Sequence, residues 1–113
     1  MQIRKTYQEV NPELLYDEIK DFVQKQGAVV SEAKMESYSL PTDSSSFIAR
    51  GTLVFKIKGN GGKEYVRAHI IGSARTEVKL MLDIDEQLFT EEKVAALKDD
   101  LDFVFGAYEK RRH

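Results

Sequence analysis

GTLVFKIKGNGGKEYVRAHIIG, residues Gly51 to Gly72, sets three glycines and an asparagine between Lys58 and Lys63. Two readings compete for it: a loop that cradles phosphate, and a turn between two strands. A Walker-type loop needs a glycine five positions before its Gly-Lys pair, a Ser or Thr after the lysine, and a helix whose first N–H groups meet the phosphate. Ile57 and Glu64 occupy those two positions, and alternation of a strand type follows. A dinucleotide fingerprint fails for the same reason, because its glycines must open a helix. The turn reading explains more. If Lys58 and Lys63 face each other, then Phe55 meets Val66, Leu53 meets Ala68, Gly51 meets Ile70 and Ala49 meets Gly72, so every small or apolar row falls on one face. A slip of one residue would invert that face.

Working forward, Gly72 and Ser73 open a second turn. With Ser73-Ala74-Arg75 as a three-residue loop, Gly72 pairs with Thr76, Ile70 with Val78, Ala68 with Leu80 and Val66 with Leu82. The apolar rows then run across three strands, which predicts an antiparallel meander with one buried side. Working backward, Ala28 to Leu40 alternates in the same way, and LPTDSSS (Leu40 to Ser46) reads as a polar loop. Before it, Asn11-Pro12-Glu13 is a helix start, Leu15, Ile19, Phe22 and Val23 form one stripe, and Gly27 is the stop. Ile3, Lys5, Tyr7 and Glu9 alternate with Arg4, Thr6 and Gln8 in a weak first strand. At the other end Thr90 caps a helix with Glu91 and Glu92 in its first turn. Its stripe is Val94, Leu97, Leu101, Val104, Phe105 and Tyr108, and its end carries Lys110 to Arg112.

The expected fold is therefore α+β: an antiparallel sheet of about five strands with two helices on one face, in the order β-α-β-β-β-β-α, as a single domain over residues 1–113. That order, with the stripe LxxxLxxVF of Leu97 to Phe105 lying across a curved sheet, resembles a shortened helix-grip fold of the START and Bet v 1 superfamily. A cystatin-like sheet around one helix is similar too. Neither resemblance implies a reaction.

At 113 residues the chain supports one core, and a formal charge of −2 gives no bulk attraction to nucleic acid. Without cysteine there is no disulfide or thiolate chemistry, and a cytoplasmic setting is the expectation. No apolar run approaches the ~20 residues of a membrane span.

Two surfaces are candidates for binding. On the inner face, small residues floor one end of the sheet, predicting a pocket for an apolar or amphipathic small molecule under the last helix. Its lining is Phe47, Ala49, Gly51, Ala68, Gly72, Thr76, Leu101, Phe105 and Tyr108. On the outer face, the expected rows are Arg50, Ile71 and Glu77; Thr52, His69 and Lys79; Val54, Arg67 and Met81; and Lys56, Tyr65 and Asp83. Val54, Tyr65, Arg67, Ile71 and Met81 make that side more apolar than a solvated face, predicting a docking surface for a protein partner or a second copy of the chain. Nucleic acid is disfavoured, because stacking aromatics are too few.

Catalytic signatures are absent from the pattern. His69 has no carboxylate in its expected row, and Ser44 to Ser46 have neither nucleophile elbow nor base. Asp83, Asp85 and Glu86 lack a calcium-loop glycine, so neither a metal nor a cofactor is expected. The chain reads as a non-enzymatic binding module, and the basic tail Lys110 to His113 as a solvated helix end.

Overall fold

The structure, a computed structural model, describes residues 1–40, 43–59 and 62–110, with the backbone alone for 40 and 43–46. The elements are β1 (Gln2–Gln8), α1 (Pro12–Lys25), β2 (Ala28–Leu40), β3 (Asp43–Ile57), β4 (Glu64–Gly72), β5 (Glu77–Ile84) and α2 (Glu91–Phe105). All strand pairs are antiparallel, and the sheet is open, in the order β1-β5-β4-β3-β2. Four strands thus form a meander from β2 to β5. The first strand closes against the last one, so α1 must cross the sheet to reach the far edge.

Leu53, Phe55, Val66, Ala68, Ile70, Val78, Leu80, Leu82 and Ile84 are all buried in one cluster with the stripes of both helices. The β3–β4 register has Phe55 opposite Val66, Leu53 opposite Ala68, Gly51 opposite Ile70 and Ala49 opposite Gly72. Burial of a single face accounts for its parity, since a slip of one residue would turn the apolar set outward.

Elsewhere the expectations need correction. In β4–β5, Gly72 pairs with Val78, Ile70 with Leu80, Ala68 with Leu82 and Val66 with Ile84, two residues beyond the expected register. The turn is longer than three residues because Ser73 N donates to Glu77 O at 3.1 Å and Thr76 N to Ser73 O at 3.2 Å. A shift of two preserves which side each residue faces and moves only the rows.

LPTDSSS is mostly strand and not loop: Leu40 pairs with Asp43, while Pro41 and Thr42 lie outside the described residues. Its polar composition suits a strand end with little core to cover; Ser37, Tyr38, Ser39 and Phe47 are exposed. The side chains of Ser44 to Ser46, and Asn60 with Gly61 in the glycine turn, lie outside the described residues.

Both helices begin as the sequence suggests. Asn11 Oδ1 accepts from Glu13 N at 2.8 Å, and Gly27 adopts a φ of 97° just past the end of α1. Thr90 stands at the N-cap of α2, but its side chain makes no capping hydrogen bond. α2 also ends sooner than expected. A 3₁₀ turn, Gly106–Tyr108, follows Phe105. The chain then runs beside β1, where Glu109 bridges Tyr7 and Lys110 N donates to Thr6 O at 2.7 Å. Lys110 therefore leaves the helix axis and is no helix-end charge; residues 111–113 lie outside the described residues. Lys5 ties this segment down with contacts of 3.4 Å to Asp102 and 3.0 Å to Glu109. Among the described residues, no helix is long and apolar enough to cross a membrane.

Candidate functional site

The small-residue floor on the inner side of the sheet is filled from above. α1 carries Tyr16 on the flank of its apolar stripe, and a Cβ placed on Gly51 would stand 2.9 Å from Tyr16 Cδ2 and 3.1 Å from Met35 Cε. Gly51 thus serves close packing of the tyrosine ring against the sheet, and the space expected over it is occupied.

The residues predicted to line the pocket separate into four groups. Gly51, Ala68, Leu101 and Phe105 are buried in the core. Thr76 is exposed in the β4–β5 turn, outside the floor, because of the two-residue shift. Tyr108, 49% exposed, sits in the 3₁₀ turn and points to no shared cavity with Phe47, which is 57% exposed on the hairpin arm. Phe47, Ala49 and Gly72 do come together. With Asn11, Pro12 and Glu13 they line a surface depression of about 240 Å³ beside the start of α1.

On the outer side, alternation places Val54, Arg67, Ile71 and Met81 where expected, but the rows are redrawn. They read Gln2, Asp83, Arg67, Val54 and Glu32; Arg4, Met81, His69, Thr52 and Lys34; and Thr6, Lys79, Ile71, Arg50 and Glu36. Tyr65 is not among them. Phe55 pairs with Val66 and Lys56 with Glu64, so Tyr65 is the extra residue of a β-bulge. The bulge turns it inward, where it is 5% exposed and meets Phe89 edge-on at 5.6 Å between ring centroids. Tyr65 is a core residue and no part of a docking face.

Charge is unevenly spread over the outer side. One end holds Glu32, Glu64 and Asp83, with Arg67 engaged by both carboxylate oxygens of Glu64 at 2.8 and 3.2 Å. That contact pushes the Glu64 carboxyl below its ordinary range. Across the middle run Arg4, His69 and Lys34, then Lys79 and Arg50 in the next row. Arg4 donates to Gln2 and, with His69, forms no ion pair among the described residues. Lys79 and Lys110 reach Glu77 only at 4.0 and 3.6 Å. Arg4, Thr6, His69, Ile71, Lys79 and Met81 line a depression of about 730 Å³, closed on the β1 side by Glu109 and Lys110. Apolar Ile71 and Met81 lie within this basic rim.

His69 stands between Thr52 and Met81, so no carboxylate orients it. The described residues bring no three His, Asp or Glu side chains together as a metal site. One carboxyl pair does meet between the helices. Glu18 of α1 shares a hydrogen bond with Asp100 of α2, which together with burial and the charges of Asp100 and Asp21 pushes Glu18 up to about 7, Lys25 opposing. Asp100 Oδ2 is buried without a hydrogen-bond partner, and a proton held on Glu18 would supply the donor it lacks.

The folded chain holds this proton more tightly than an unfolded one, whose glutamate titrates near ~4.3. The stabilisation is therefore complete below that value and is lost as pH rises through about 7. Thermal unfolding should come a few degrees lower at about pH 8 than at about pH 5, and Glu18→Gln should remove most of that difference. An unchanged pH dependence in the variant would show that the pair does not titrate in this window.

Three side chains that shape these surfaces escaped the sequence reading. Tyr16 lies three positions before Ile19, so helical spacing carried its signal. Lys5 shares parity with inward Ile3 and Tyr7, which also marked it as inward. Phe89 sits between strand and helix, where no periodicity reports burial.

No family model, curated protein or solved structure matches the chain.

Proposed function

We propose that the chain is a non-enzymatic binding module whose outer sheet face docks a protein partner presenting acidic and apolar side chains together. The observation that carries this reading is the depression of about 730 Å³ in which Ile71 and Met81 lie among Arg4, His69 and Lys79. Cations at a rim steer and orient an acidic partner, while a partly buried apolar centre supplies most of the affinity. Val54 faces outward but is 3% exposed, so the apolar part of this surface is Ile71 and Met81 and does not include it.

The alternative, an apolar small molecule enclosed between the sheet and the last helix, has less in its favour because Tyr16 occupies the space above Gly51. Likeness to a shortened helix-grip fold belongs to this reading at the level of element order, with α2 set against β1 by the contact of Phe105 with Tyr7.

The test is a peptide of alternating Asp and Leu, labelled and titrated with the protein at low salt. Saturable binding that weakens about tenfold or more in Met81→Glu, with the fold intact, is expected. No saturable binding, or equal binding by Met81→Glu, would overturn the reading.

A further inference from the structure

The two edges of the sheet differ. The edge of β1 is partly closed by Glu109 and Lys110, whereas β2 ends the sheet with its outward edge unpaired among the described residues. Its ladder with β3 is irregular at two places, between Val30 and Glu32 and between Ser39 and Leu40. Between them Glu32 to Ser39 is a regular, mostly exposed length of strand. Such an edge, with alternate N–H and C=O groups facing solvent, is a template for another strand.

Charge selects which strand fits. Glu32, Lys34, Glu36 and Tyr38 face outward, and Ala33, Met35 and Ser37 face the helix side. In a two-fold antiparallel pairing of β2 with itself, paired residues must share a side of the sheet, so the axis passes through one residue. Centred on Lys34, the pairing sets Lys34 against itself and Glu32 against Glu36. A centre at Glu36 opposes two glutamates. Centring on Ala33 draws the irregularity at Ser31 into the pair. Only at Met35 do the requirements agree: Lys34 meets Glu36 of the second copy at two places, Ala33 meets Ser37, Glu32 meets Tyr38, and the paired length falls inside the two irregularities.

We propose that two copies of this chain associate edge to edge through β2, antiparallel about Met35, to form one continuous sheet. The two outer faces then lie on the same side, and the row holding Lys34 in one copy continues through Glu36 of the second. This inference rests on the free edge and its charges, and is independent of what the outer face binds.

Sedimentation of the full chain over a range of concentrations should show a reversible dimer. Lys34→Glu and Glu36→Lys each place two like-charged pairs in the interface and should weaken dimerisation at least about tenfold. An equimolar mixture of the two variants restores opposite charges at both contacts and should recover the dimer. Circular dichroism confirms that each variant is folded. In the unmodified protein, the outward amides of Glu32 to Tyr38 should become more protected from exchange as concentration rises, a readout that no variant affects. A monomer at every concentration, a dimer indifferent to both substitutions, or a mixture that stays monomeric would overturn the proposal.

Discussion

Gly72→Ala should cost about 3 kcal/mol or more of folding stability. Gly72 adopts a φ of 154°, and a Cβ built there would stand 2.1 Å from the Glu77 carbonyl oxygen and 2.6 Å from Val78 Cα. Both neighbours are backbone atoms of the ladder that joins β4 to β5, so neither can yield without opening the turn. Strain of ~1–3 kcal/mol for the backbone and a similar overpacking term add to about 3 kcal/mol or more. That is a large fraction of the ~5–15 kcal/mol by which a domain of this kind is stable. Urea unfolding measures it. A loss below about 1 kcal/mol would mean that the turn relaxes freely and that its length does not depend on this glycine.

The second large effect is expected at the contact between α1 and the sheet. Gly51→Leu forces a side chain into the ring of Tyr16 and should cost about 3 kcal/mol. Tyr16→Ala alone should cost about 3–5 kcal/mol through the cavity it leaves. Combined, the two changes should be less damaging than their separate effects predict, by about 1–3 kcal/mol, because the leucine enters the vacated volume. Independent effects would show that Tyr16 does not occupy the space over Gly51, and would reopen the case for a ligand there.

Much of the sheet was legible because side chains alternate strictly in a strand. Leu53, Phe55, Val66, Ala68, Ile70, Leu80 and Leu82 could be assigned to one side from their spacing alone, and the structure puts them there. Exact rows were harder. Turn length decides register, and in Ser73-Ala74-Arg75-Thr76 the closing hydrogen bond to Glu77 depends on backbone geometry that residue types only bias. The even shift kept Ile71 and Met81 outward while giving His69 a new neighbour. Tyr65 shows the opposite case, since one extra residue in a bulge moves a side chain from the surface to the core. No local pattern distinguishes a bulged tyrosine from an alternating one.

The inner floor failed for a different reason. Small residues at Gly51 and Ala68 signal that something approaches closely, without saying whether it is a ligand or a helix. Tyr16 supplied the answer, and only packing across the fold brings residues so distant in sequence together. Asp43 to Ser46 carry loop composition, yet they belong to extended strand, in which Asp43 pairs with Leu40.

The most direct test is a methyl-resolved NMR titration of the full chain with two probes, the alternating Asp–Leu peptide and dodecanoate. A filled interior beneath a binding outer face predicts that the peptide shifts the Ile71 and Met81 methyls, and that dodecanoate leaves Leu53, Leu80 and Leu101 unmoved. Saturable shifts of Leu53, Leu80 and Leu101 with dodecanoate, beside silent Ile71 and Met81 with the peptide, would contradict it.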